Sequence, residues 1–258
     1  LPGHSSAAVA AYPELSCGIK DRYEVIKTFG IFDNVFCPNE KTFRFLEDVF
    51  SEVAALFPGT YIHIGGDECP KTAWKQCSHC QGLMKKLNLK DENQLQSYFI
   101  HEVEKIVNRQ GKQIIGWDEI LDGGLAPNAT VMSWRGEKGG IEAAKSGHSV
   151  IMMPNADTYL NYYQEDPEYA PIGSGSFLPI EQVYSYEPIP AQMNDRDKKY
   201  VLGMEAALWT PYMKNPDVVD YYMYPRFYAV AEVAWTPAEA KNYTDFLARI
   251  RKQYARLD

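Results

Sequence analysis

Residues 39–117 run the same course twice: an amphipathic stretch of helical period, a glycine stop, then a short apolar run that reads as a buried strand. The first stretch, NEKTFRFLEDVFSEVAALF at 39–57, sets Phe43, Leu46, Phe50, Val53, Ala54 and Phe57 at three- and four-residue steps behind a capping Asn39. Pro58-Gly59 stops it, and an apolar run follows at 61–66. The second, DENQLQSYFIHEVEKIVNRQ at 91–110, opens on Asp91 and Gln94 as a capping box and lines up Leu95, Phe99, Val103 and Ile106. It stops at Gly111, and KQIIGW follows directly. Further strands are expected at TVMSW (130–134), SVIMM (149–153) and VLGMEAALW (201–209). Helices are expected at 137–146 and 217–234, the latter kinked by Pro225, and residues 154–199 read as a long loop that carries function. Strands alternating with helices impose a parallel sheet with right-handed crossovers, either open or closed into a barrel. The 258 residues suit one barrel-sized domain or two smaller ones.

Composition narrows the partners. A net charge of -8 would repel a phosphate backbone, and no basic patch offsets it, so nucleic acid is not expected. No apolar run is long enough to span a bilayer. Neutral substrates fit better, and 18 tyrosines and 5 tryptophans supply flat rings with polar tips suited to sugar stacking as well as to core packing. The five cysteines are Cys17, Cys37, Cys69, Cys77 and Cys80. Cys77-Ser-His-Cys80, with Cys69 and His79 nearby, has some look of zinc ligation. A four-ligand structural site usually shows two such pairs, so free thiols or a local disulfide are expected and no metal. The chain opens on Leu-Pro-Gly-His without a recognisable targeting segment.

Polar and aromatic residues recur where strands are expected to end: Asp67-Glu68, Trp117-Asp118-Glu119, Trp134-Arg135 and Trp209. In a (β/α)8 barrel that rim builds the active site, whereas a tryptophan there for packing alone would close its strand as an apolar plug. Two neighbouring carboxylates in a partly buried site cannot both ionise cheaply, so one is pushed toward its protonated form. A protonated acid beside an anion is what glycoside cleavage uses. Consecutive side chains on an extended backbone diverge, however, so this pair is poorly placed to flank one bond as acid and nucleophile. Another nucleophile is wanted, and the substrate is one source of it.

HIGGDE (63–68), LPGH (1–4), GWDEI (116–120), VMSW (131–134), TYLN (158–161) and GMEAALW (203–209) resemble, in family order and over nearly the whole chain, the motifs of glycoside hydrolase family 20, the β-N-acetylhexosaminidases. The resemblance implies a (β/α)8 TIM barrel and an exo-acting hydrolase that releases terminal N-acetylglucosamine or N-acetylgalactosamine from amino-sugar-containing glycans. It implies no cofactor. It also implies substrate-assisted retention, in which the 2-acetamido carbonyl attacks the anomeric carbon. By motif match Glu68 is the general acid and then base, and Asp67 orients and charge-stabilises the acetamido nitrogen. Trp117, Trp134 and Trp209 match the aromatic walls of the sugar pocket, Tyr159 the phenol on the acetamido oxygen, and Asn161 a position near the sugar hydroxyls. His4 matches the histidine of the family's PGH motif; His63 reads as a satisfied strand histidine. Family members are commonly exported or lysosomal, which favours a place outside the cytoplasm.

Two departures qualify the match. The family usually carries Glu two residues after the last-strand tryptophan, and here that position is Pro211. The family barrel also has three strands before its PGH motif, so the chain is expected to hold about five of the eight β/α units, as one N-terminally truncated catalytic-barrel domain over 1–258. The arginine that typically grips the outer hydroxyls would lie in the missing part. A missing N-terminal segment or another chain would complete the barrel. The competing readings are an inactive carbohydrate-binding or assembly fragment, and a hydrolase holding a hard divalent ion on Asp67, Glu68, Asp118 and Glu119.

Overall fold

A computed structural model describes residues 1–18 and 22–254. The chain divides into two compact units, Leu1–Met132 and Ser133–Asp258.

The first unit opens with α1 (Ser6–Ala11) and a short 3-10 turn at Pro13–Leu15. Its main elements follow as α2 (Glu40–Leu56), β1 (Tyr61–His63), α3 (Thr72–Gln76), α4 (Ser78–Leu87), α5 (Glu92–Arg109), β2 (Gln113–Trp117) and β3 (Thr130–Ser133). Both expected caps form: Asn39 Oδ1 accepts from the Thr42 N–H at 2.9 Å, and Asp91 Oδ1 from the Gln94 N–H at 2.9 Å. Gln94 does not close the expected box on Asp91; its Oε1 accepts from the Lys90 N–H at 2.7 Å, one residue earlier. The apolar faces of α2 and α5 meet as the spacing predicts, with the Phe43 and Phe99 rings 5.3 Å apart and Leu46, Phe50, Leu95 and Val103 buried. Each such side chain contributes about 1.5–3 kcal/mol on burial. β1 pairs in parallel with β2, Tyr61 opposite Gln113 and His63 opposite Ile115, and β2 pairs in parallel with β3, Trp117 opposite Met132. β1 is shorter than the apolar run 61–66 because Gly65 and Gly66 turn the chain with positive φ.

The second unit holds α6 (Lys138–Lys145), β4 (Val150–Met152), α7 (Asn155–Thr158), α8 (Ile180–Ser185), β5 (Val201–Met204), α9 (Pro216–Met223), α10 (Arg226–Trp235) and α11 (Tyr243–Tyr254). β4 and β5 are parallel, with a shift of register after Val150 opposite Val201, so that Ile151 faces Gly203. Within this unit the Met153 N–H donates to Ser133 O at 2.9 Å. The strand expected over 201–209 ends at Met204, and beyond it Ala207 makes a single bridge to Tyr159.

The helix expected over 217–234 is two helices. Tyr224 is extended and Pro225 stands just before α10, because proline supplies no N–H and disfavours helical geometry in the residue before it. The long loop carries α7, α8 and a 3-10 turn at Asp197–Tyr200. It is pinned by Arg226, which is fully buried. Arg226 Nη1 donates to Tyr162 O at 3.0 Å and to Leu178 O at 2.9 Å, and Nη2 donates to Tyr222 O at 2.8 Å and to Leu160 O. These carbonyls replace the water lost on burial, which still lowers the guanidinium's proton affinity to a pKa of about 10.

Candidate active site

The apolar strand β1 delivers the chain to Gly65-Gly66, and there the backbone turns. Gly66 has φ +107, and a Cβ on it would lie 2.4 Å from Ile120 Cγ2, so no other residue fits without displacing the turn after β2. The Trp117 N–H donates to Gly65 O at 2.8 Å, tying that turn to the end of β2. Asp67 follows, and then Glu68 with φ +45, a left-handed conformation uncommon outside Gly, Asn and Asp. His4 is left-handed too, at φ +52. Such strain of about 1–3 kcal/mol at each residue persists where the surroundings fix it, and functional sites are where it clusters.

The left-handed turn corrects the expectation that the two acids diverge. His4 Nε2 lies 3.1 Å from Asp67 Oδ2 and 3.2 Å from Glu68 Oε2, so a single ring nitrogen reaches both carboxylates. Gly3 makes this approach possible: a Cβ there would sit 2.8 Å from the Asp67 carbonyl oxygen. The hydrogen bond to Asp67 raises the His4 pKa above its usual value against the opposing effect of burial. Burial alone would raise that of Asp67, but the bond to His4 and its charge outweigh this and hold the carboxyl below the usual range. The Asp67 carboxyl is therefore held toward its ionised form.

Two side chains that the motifs do not mark hold the acid loop. Gln96, buried on α5, donates from Nε2 to Gly66 O at 2.7 Å. Lys71 Nζ donates to Cys69 O at 2.9 Å and to Gln96 Oε1. The one sequence signal is a glutamine directly after Leu95 in a helix whose buried side is mostly apolar. His63 accepts from the Gly65 N–H at 3.1 Å, and its ring meets that of Trp117 edge-on at 4.5 Å, which agrees with a strand histidine that has its partners. Asp118 is buried, and Glu119 is half-buried beside it.

The second unit carries an aromatic cluster. Tyr159 is nearly buried, stacked on Trp134 at 6.2 Å and 9° and met edge-on by Trp209 at 6.0 Å and 64°. Hydrogen bonds from Leu160 N to Ala207 O (2.7 Å) and from Ala207 N to Thr158 O (3.0 Å) fix Tyr159 beside the strand that leads to Trp209. Asn161, expected near sugar hydroxyls, is buried, its Nδ2 donating to Ser174 Oγ and its Oδ1 accepting from the Trp209 N–H at 3.4 Å. Its amide thus positions the backbone of Trp209. Residues 209–212, including Pro211 in place of the expected Glu, are exposed.

The family profile described as glycosyl hydrolase family 20, catalytic domain, matches residues 1–238, and the chain belongs to that family. The catalytic domains of its relatives are TIM barrels, and this chain carries an incomplete one. A beta-hexosaminidase of Porphyromonas gingivalis is 51% identical over 260 residues, an alignment covering 100% of this chain and 33% of that protein. A beta-hexosaminidase of Vibrio furnissii is 38% identical over 237 residues, covering 90% of this chain and 38% of that protein. The crystal structure of an exo β-N-acetylglucosaminidase from Vibrio harveyi, in complex with N-acetylglucosamine, superposes with a TM-score of 0.86 at 34% identity. That match covers 100% of this chain and 41% of the Vibrio harveyi chain. The chain therefore spans from a third to two fifths of the length of these relatives.

Proposed function

We propose that the protein carrying this chain is an exo-acting β-N-acetylhexosaminidase, working by substrate-assisted retention on terminal non-reducing N-acetylglucosamine or N-acetylgalactosamine. The supporting observation is the His4–Asp67–Glu68 cluster, in which one imidazole nitrogen meets two carboxylates on consecutive residues. The two acids have different duties. Glu68 protonates the glycosidic oxygen as its bond to the anomeric carbon breaks, while the acetamido carbonyl oxygen forms the new bond from the opposite face. The resulting oxazolinium-like ring carries positive charge and an N–H. Asp67, kept ionised by His4, accepts from that N–H and stabilises the charge. Glu68, now a carboxylate, takes a proton from water as the water's oxygen opens the ring at the anomeric carbon. Two inversions leave the configuration retained.

By motif match Tyr159 serves the acetamido oxygen, and Trp117, Trp134 and Trp209 wall the sugar and its methyl group. The stacking of Tyr159 on Trp134 and the bond from the Trp209 N–H to Asn161 support this reading. The test is Glu68→Gln in the protein that carries this chain, assayed on an aryl β-N-acetylglucosaminide. The expected loss in kcat is about 10³-fold or more with substrate affinity kept. A Glu68→Gln variant within a few fold of wild type would refute the assignment.

A further inference from the structure

The geometry points to a structural zinc site formed by Cys17, Cys37, Cys77 and Cys80 in the first unit. The sequence shows one Cys-x-x-Cys pair; the fold brings two more cysteines to it from a single loop. All four sulfur atoms lie within 4.8 Å of one another. Cys80 Sγ is 3.7 Å from Cys17 Sγ and 3.7 Å from Cys37 Sγ. Four sulfurs about 2.3 Å from a central zinc in a tetrahedron stand about 3.8 Å from each other. A disulfide needs about 2.05 Å, so these sulfurs have the spacing of a tetrathiolate and not of bonded pairs. Cys69, the fifth, is outside the group, its thiol directed to Pro70 O at 3.8 Å. His79 is outside it too, with Nε2 3.2 Å from Pro38 O.

The surroundings suit a metal thiolate. Cys37, Cys77 and Cys80 are buried among Val35, Trp74, Met84 and Leu95, which exclude water. Cys77 caps the N-terminus of α4 and Cys80 lies in its first turn, so the helix end whose N–H groups lack intrahelical acceptors adjoins the sulfurs. Four neighbouring thiols cannot all ionise by themselves; a divalent cation displaces their protons to solvent and binds the four thiolates, leaving a net negative charge that the N-terminal end of α4 favours. Soft thiolates in tetrahedral array select zinc or iron over hard ions. Zinc is the choice here because a site that only fastens chain needs no redox chemistry.

What the site fastens is the loop next to the catalytic cluster. Between Leu15 and Asn39 the described residues form no helix or strand. A connection that long in a compact unit needs holding by something else. Cys17 and Cys37 stand near its two ends, and zinc would tie both to the α3–α4 corner. From Cys37 the hold passes on: the Phe36 N–H donates to Pro2 O at 3.1 Å, and Ser5 Oγ donates to Pro2 O at 2.8 Å and to Asn34 O at 3.3 Å. Trp74 Nε1 donates to Phe36 O at 3.0 Å. The segment that places His4 on Asp67 and Glu68 is therefore anchored to the residue beside a proposed ligand.

The experiment is metal analysis of the protein that carries this chain, purified without chelator, by plasma mass spectrometry and native mass spectrometry. The expected result is one zinc per chain, released by an organomercurial thiol reagent into a chromogenic chelator. The Cys77→Ser/Cys80→Ser double variant is expected to lose the zinc and about 10 °C or more of Tm, and Cys69→Ser to retain it. Replacing zinc with cobalt(II) is expected to give the intense visible bands of a tetrahedral tetrathiolate. Metal-free protein whose four thiols alkylate freely, disulfides by intact mass, iron in place of zinc, or unchanged zinc in the double variant would each overturn the proposal. The wild-type metal content decides even if the double variant fails to fold. Glycosidase activity enters none of these readouts, so they stand apart from the proposed hydrolysis.

Discussion

Consecutive side chains on an extended strand leave on opposite faces, and Asp67 and Glu68 escape that rule only because Glu68 takes a left-handed conformation. The consequence is electrostatic. His4 reaches both acids, and its pKa rises while that of Asp67 falls, so the imidazolium and the Asp67 carboxylate coexist over a wider span of pH than the separate groups would. The sign of the linkage follows. The His4 part of this coupling is full below its ordinary pKa near ~6.5 and fades as pH rises through the raised folded value. The Asp67 part is full above its ordinary value and is lost as pH falls through the lowered one. Replacing His4 with Ala takes away the group that holds Asp67 down, so Asp67 would ionise at higher pH. The acidic limb of the kcat/KM profile is expected to move upward. An unmoved limb would mean that another group holds Asp67 ionised.

The acid loop depends on an element to which no motif assigns a role. Gln96 of α5 donates to the Gly66 carbonyl and accepts from Lys71, so a buried helix residue sets the path of the turn that carries both acids. Gln96→Leu keeps the volume and removes both bonds. It should lower kcat by roughly 10- to 100-fold with a smaller change in KM, since it misplaces the acids without touching the sugar pocket. Equal loss in Gln96→Glu, which keeps only the bond from Lys71, would single out the bond to Gly66 as the one that matters. The helices α2 and α5 and the five strand positions were legible because each rests on local signals: apolar period, capping side chains and glycine stops. Much of what lies outside them was not. The break between α9 and α10 looked like a kink because α9's own period runs straight into α10's across Pro225. The bond from Gln96 and the gathering of Cys17 and Cys37 onto Cys77 and Cys80 join residues far apart in sequence, for which a single chain offers no local signal. Of the residues expected at the site from the motifs, His4, Asp67 and Glu68 are brought together, and so are Trp134, Tyr159 and Trp209. The bonds of Asn161 to Ser174 and Trp209 had no local signal in the sequence.

Five strands among the described residues make an incomplete barrel in a family whose catalytic domains are TIM barrels. Among the described residues no helix is long and apolar enough to cross a membrane. Residues 1–258 expressed by themselves are expected to turn over an aryl N-acetylglucosaminide at least about 100-fold more slowly than a protein extended to its relatives' length, because an open strand edge and uncovered apolar surface favour association over a rigid site. Equal specific activity from a verified monomer of the short chain would contradict this. The origin of the nucleophile decides the mechanism. Aryl glycosides whose N-acetyl group carries zero to three fluorines differ chiefly in how readily the carbonyl oxygen gives up electron density, so their relative kcat values report on whether that oxygen attacks. A steep fall in kcat with each fluorine added is expected; rates that stay level across the series would show that the attacking oxygen comes from the protein or from water.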